Sequence, residues 1–143
     1  MHKTKILVLS ELYYPQGGGA ELATHLILKN LQKTGEFQIT VLTGIRKIEK
    51  IKGIKYMYTS YLEPRPKPLL WLYIDYMCRQ SLFKELLECH DVVYIPRIAY
   101  PAIPYAKKMG KKVIVHLHNY QPITYHSIYS EIDKNLNLSL IHI

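Results

Sequence analysis

Two hydrophobic patterns alternate along this chain. Short, nearly continuous apolar runs are separated by longer stretches whose apolar residues recur every three to four positions. Residues 5–10 (KILVLS) form the first run. Such a run suits a strand buried on both faces of a parallel sheet. A helical pattern then runs from about Glu21 to Thr34. Leu22, Leu26 and Lys29 fall on one line, and Ala23, Ile27 and Leu31 extend an apolar stripe. Gly35 supplies the stop. Residues 37–43 read as the second strand, which completes a normally right-handed strand–helix–strand unit. Residues 54–58 read as a short third strand. Between these strands Arg46, Lys47, Lys50, Lys52 and Lys55 stand among isoleucines. That stretch reads as a solvated connection rather than a binding patch.

Pro64, Pro66 and Pro68 alternate with Arg65 and Lys67. They predict a stiff extended linker that excludes regular helix. Residues 69–88 predict one helix, which holds Trp71, Leu72, Tyr73, Tyr76, Leu82, Phe83, Leu86 and Leu87. Residues 91–95 and 112–117 predict two more strands. Between them Pro101 and Pro104 bracket the start of a shorter helix that Gly110 stops. Residues 131–137 have a helical pattern and residues 138–143 resemble the start of a strand, but the tail after about residue 120 has no firm assignment. At 143 residues the chain fits one domain. The alternation predicts an α/β class, with a Rossmann-like, mostly parallel sheet and helices on both faces.

Ligands of such sheets bind beyond the carboxyl ends of the strands. Three groups of residues fall at that edge: 13–21, Pro96–Arg97 and 116–119. The first reads YYPQGGGAE. Gly17, Gly18 and Gly19 permit close approach of a ligand or backbone. The free N–H groups of a helix starting there suit a phosphate or carboxylate. An anion cradle and a plain connecting loop both fit these residues. Glu21 in the first turn competes with an anion for the same field, and it suits a sugar hydroxyl as well. The loop is not a dinucleotide fingerprint, because its glycines come late and the second strand ends without an acid. Nor is it a P-loop, because Ala20 follows Gly19 where Lys is required.

Charge and composition narrow the partners. Nineteen Lys and Arg against eleven Asp and Glu give +8. That favours anionic partners such as nucleotide sugars, phosphorylated acceptors, a lipid surface or nucleic acid. There is no nucleic-acid-binding signature beyond the charge itself. Cys78 and Cys89 are too few for a disulfide scaffold. On one continuous helix they would lie roughly 16 Å apart, too far to bridge. A reduced, cytoplasmic setting is expected, without a signal peptide or a membrane span. Trp71 and Tyr73 beside Arg65 and Lys67 also suit peripheral contact with the inner membrane face. The same rings suit a helix core.

His116 and His118 lie two apart on a strand end, so they face the same way. A metal would need more ligands, and His126, Asp91 and Glu11 lack diagnostic spacing, so no metal is expected. A hydrolase reading has no nucleophile elbow to support it. His116, nearer the buried strand, reads first as a hydrogen-bonded structural residue. Arg97 reads either as a bidentate grip on phosphate or carboxylate, or as an exposed residue before a helix.

Pro15, Gly18, Gly19 and Glu21, followed by the strand QITVLTG, resemble the start of the family 4 retaining glycosyltransferases. Lys111, Val113, Val115 and His118 are similar to that family's strand ending in His. The resemblance spans roughly residues 5–120 and implies the amino-terminal half of a GT-B architecture. It implies transfer of a sugar from a nucleotide diphosphate sugar to an acceptor, with retained anomeric configuration and no cofactor. Gly17–Gly19 would lie against the donor diphosphate. His118 would reach the acceptor and the reacting sugar as the catalytic residue. Glu21, Arg97, His116, Asn119 and Tyr120 would orient substrates. Tyr94, Pro96 and Arg97 stand where the family often has histidines, which is a departure. The family's carboxyl-terminal domain, holding most nucleotide contacts, has no counterpart in the sequence. The chain is therefore expected to be inactive alone and to work with such a domain, in this chain's context or as a separate chain. The acceptor, whether sugar, lipid or glycan, is not specified. The alternatives are a ligand-binding or regulatory domain with the same fold but no chemistry and, third, a nucleic-acid-binding α/β protein.

Overall fold

A computed structural model describes residues 2–118. The expectations for Asn119, Tyr120 and His126, and for a helix and strand beyond them, lie outside the described residues. Among the described residues nine regular elements follow one another: β1 (Thr4–Ser10), α1 (Gly19–Thr34), β2 (Phe37–Thr43), β3 (Lys55–Tyr58), α2 (Lys67–Cys78), α3 (Ser81–Glu88), β4 (Val92–Ile95), α4 (Ala102–Lys108) and β5 (Lys112–Val115). A 3-10 turn, Ser60–Leu62, links β3 to α2.

The described strands form one sheet in the order β3-β2-β1-β4-β5. Every pairing is parallel. Val8, for example, sits between Val41 of β2 and Tyr94 of β4. This is a Rossmann-like α/β arrangement, with its strand order reversing between β1 and β4.

Strand side chains alternate between two cores, as period two requires. Leu7, Leu9, Leu42, Val93 and Ile95 face a core built with α2, α3 and α4. Ile6, Val8, Ile39, Val41, Val92 and Tyr94 face the other, with Leu28 of α1 and Tyr13. Parallel strands need cover on both sides, which explains why these runs are nearly continuous in apolar residues. Gly35 ends α1 in the left-handed region at φ 73°, a conformation that glycine adopts without a Cβ clash.

Three expectations need correction. First, residues 69–88 do not form one helix. The chain breaks at Arg79–Gln80, where Arg79 and Gln80 bond back three residues to Tyr76 and Met77. Cys78 is buried and Cys89 exposed, both as free thiols, so the single-helix basis for their separation does not hold. Second, Pro68 lies inside the first turn of α2. Its missing N–H has no intrahelical partner to lose there. Third, the buried residues of α1 are Glu21, Thr24, His25 and Leu28, not the leucine line. Leu22 and Leu26 are exposed. The polar side of α1 faces inward because its partners are already there. Thr24 donates to the Ala20 carbonyl, and His25 meets Tyr13.

Candidate functional site

Because all strands run parallel, the glycine loop after β1, Arg97 after β4 and the histidines after β5 share the carboxyl edge of the sheet. β1 and β4 are neighbours at the reversal of strand order, and β4 neighbours β5, so the three segments follow one another along that edge.

The loop rests on a buried base. Tyr13 is fully buried, with its hydroxyl 3.2 Å from His25 Nδ1 and 3.1 Å from the Tyr56 hydroxyl. Burial, then the Tyr56 contact, raise the Tyr13 pKa far above the ordinary phenol range, so it stays protonated. Gln16 N–H closes a turn onto the Tyr13 carbonyl. The Tyr14–Pro15 peptide bond is cis. Gly17 follows at φ 93°.

Glu21 closes the far side of the loop. Its Oε2 accepts the Gly18 N–H at 2.5 Å, which is the backward half of a capping box. A Cβ on Gly17 would collide with the Glu21 carboxyl group. The expected anion cradle is thus partly occupied by the chain's own carboxylate. Gly19 and Ala20 open α1, and among the described residues no acceptor meets their N–H groups.

Arg97 is the second anchor. Its Nε pairs with Glu11 Oε1, and its Nη1 pairs with Glu21 Oε1. One guanidinium therefore ties the end of β1, the first turn of α1 and the loop after β4 together. Both carboxylates are buried. Glu11 Oε2 has no hydrogen-bond partner among the described residues. Arg97 acts here as a counter-ion inside the protein, and its guanidinium is already engaged on two sides.

The histidines complete the edge. His116 N–H bonds the Ile95 carbonyl at 2.9 Å, and its Nδ1 lies 3.0 Å from the Tyr94 hydroxyl. Burial raises the Tyr94 pKa, and the Thr24 hydroxyl opposes that in part. His116 is half-buried and held on two sides, which fits the structural role read for it. His118 is exposed and lies against His116, with ring centroids 3.9 Å apart and the rings tilted by 35°. Its pKa is lowered by partial desolvation, then by His116 and the Arg97 charge. The imidazole is therefore neutral near pH 7 and able to accept a proton or a hydrogen bond.

The structure thus brings Gly17, Gly18, Gly19, Glu21, Arg97, His116 and His118 to one edge. Asn119 and Tyr120 lie outside the described residues. Sequence reasoning missed Tyr13, His25 and Tyr94 as supports, and considered Glu11 only as a metal ligand. Among the described residues no group of three His, Cys, Asp or Glu could hold a metal ion. An acid at the end of a largely apolar, buried strand was the available signal for Glu11, since a buried carboxylate demands a counter-charge. No protein-family model and no curated protein matches this chain.

Proposed function

We propose that this chain is the acceptor-side domain of a retaining, GT-B-type glycosyltransferase that takes sugar from a nucleotide diphosphate sugar. One observation carries the reading: an exposed neutral imidazole, His118, stands after β5 on the same sheet edge as the open N–H groups of α1, one strand beyond the reversal of strand order. That edge offers donors for phosphate oxygens and a base near an acceptor hydroxyl. Glu21 and Arg97 hold the loop in shape through each other, and Glu21 fixes the Gly18 amide. Turnover in this reading requires a second domain that supplies the nucleotide contacts.

Isotope-edited NMR of the chain, titrated with nucleotide diphosphate sugars and free sugars, tests the site. Shifts should cluster at Gly17–Gly19, Ala20 and His118. Shifts confined elsewhere, or none at millimolar ligand, would sink the assignment. In an assembly with a carboxyl-terminal domain, His118→Ala should reduce kcat with little change in donor affinity. That split marks a contact made to the acceptor or the transition state. Robust transfer by the chain alone would overturn the division of labour.

A second reading has its own support. Gly18 N–H and the Arg97 guanidinium are already satisfied internally, leaving fewer groups for a diphosphate. A ligand-binding domain without chemistry would need no more. Unchanged turnover of the assembly on replacing His118 would favour it.

A further inference from the structure

Helix α2 has two unlike sides. Leu70, Ile74, Met77 and Cys78 are buried against the sheet. Trp71 belongs with them in part: its Nε1 donates to the Ile98 carbonyl at 2.9 Å and its ring meets Tyr100. The opposite side carries Leu69, Leu72, Tyr73 and Tyr76, spaced i, i+3, i+4 and i+7. These are 44%, 68%, 38% and 56% exposed. A soluble helix ordinarily puts polar residues on such a side. Tyr76 continues the surface to Tyr61, 5.7 Å away between ring centroids. Tyr61, Met77 and Leu82 line an adjoining open groove of about 510 Å³.

The rim of this surface is basic. The Arg65 guanidinium lies over the Tyr73 ring at 4.0 Å, 20% exposed and 3.5 Å from the Glu63 carboxylate, and Lys67 Nζ lies over Trp71 at 4.7 Å. Arg79 closes the far end, 67% exposed. Asp75, the one acid of α2, is taken by Arg79 at 3.0 Å and by the Tyr105 hydroxyl at 2.7 Å.

We infer that the exposed side of α2 is a docking surface for an anionic lipid bilayer, lying in the interface plane with its leucines and tyrosines below the headgroups. The occupant follows from charge. A second copy packed on this side would bring one basic rim against another, on a chain already at +8. Anionic headgroups meet the same rim with opposite sign. Leucines with amphipathic rings and long basic stems fit the boundary between acyl chains and headgroups. No described helix is long and apolar enough to cross a membrane, so α2 lies on the surface. Trp71 of α2 bonds the loop that carries Arg97, so docking holds the carboxyl edge of the sheet near the lipid. The inference does not depend on the glycosyltransferase reading.

Vesicle flotation of the 143-residue chain tests it, with phosphatidylcholine alone and with about one-third phosphatidylglycerol. The chain should float with the anionic vesicles and stay behind with the neutral ones. Each of Arg65→Gln and Arg79→Gln should weaken partition about fivefold, the effect of one basic residue at such a surface. Leu72→Glu should weaken it at least tenfold without lowering the melting temperature, because Leu72 is exposed. Equal recovery with both vesicle types, or unchanged flotation of Leu72→Glu, overturns the inference. So does a dimer in light scattering that Leu72→Glu dissociates, which would assign the surface to a second copy.

Discussion

Replacing Arg97 by Met would leave Glu11 and Glu21, with side chains only 4% and 2% exposed, facing each other without a counter-charge. Removing one partner from a buried ionic cluster costs about 3–5 kcal/mol. Arg97→Met should therefore lower folding free energy by that order, read as a shift of the urea midpoint at pH 7. Arg97→Lys should restore only part of it, since one ammonium cannot reproduce a fork donating from Nε and Nη1. A shift below about 1 kcal/mol for the Met variant would mean that the carboxylates find water or protons instead. Reading the sequence placed Arg97 at the right edge but left its role open. The reason is distance along the chain: Glu11 is 86 residues away, and only the pairing of β1 with β4 brings the two together. His116 and His118 were separable in advance, because the one nearer the strand is the one the fold can grip.

At the scale of elements, the strands and the glycine stops were legible because each carries its own local signal. The break between α2 and α3 was not read from the sequence, and its physical reason is one of phase. Continuing the buried stripe of Leu70, Ile74, Met77 and Cys78 at 3.6 residues per turn arrives at Ser81, Glu85 and Glu88. It leaves Phe83 and Leu87 on the opposite side, yet these are the buried residues of α3. Breaking at Arg79–Gln80 turns them back to the core. The start of α1 gives a test of how tightly an element boundary is set. Gly17→Ala puts a Cβ into the Glu21 carboxyl group and forces alanine to φ 93°. The left-handed backbone alone costs about 1–2 kcal/mol. Gly19→Ala meets nothing within 4 Å and should change stability by less than about 0.5 kcal/mol. Thermal melts of the two variants should differ clearly. Equal melting temperatures would show that Glu21 does not hold the loop.

Across the whole molecule, the sheet joins three environments that each hold a histidine against protonation. His25 is buried beneath Tyr13 and Tyr14; burial lowers its pKa, opposed by Glu49 at 3.8 Å and assisted by Lys29. His90, after α3, is lowered by burial, with Lys5 and Lys55 adding to that. Its Nδ1 contact with the Leu86 carbonyl, at 2.7 Å, and Asp91 oppose it. His118 at the carboxyl edge shifts the same way. The unfolded chain titrates these imidazoles near the ordinary value of about 6.5. Between that pH and the lower folded values, the unfolded state binds more protons, so stability rises with pH. The contribution is complete above about pH 6.5 and is lost as the pH falls through the folded values. The urea midpoint should therefore hold steady from pH 8 to 7 and then decline from about 6.5 toward 5, before carboxylate protonation dominates. His90→Gln, which removes one of the three titrations, should make that decline shallower whatever it does to the midpoint at pH 7.5. A midpoint that is flat or rises on acidification across this window would show that the folded protein accommodates these histidines as cations.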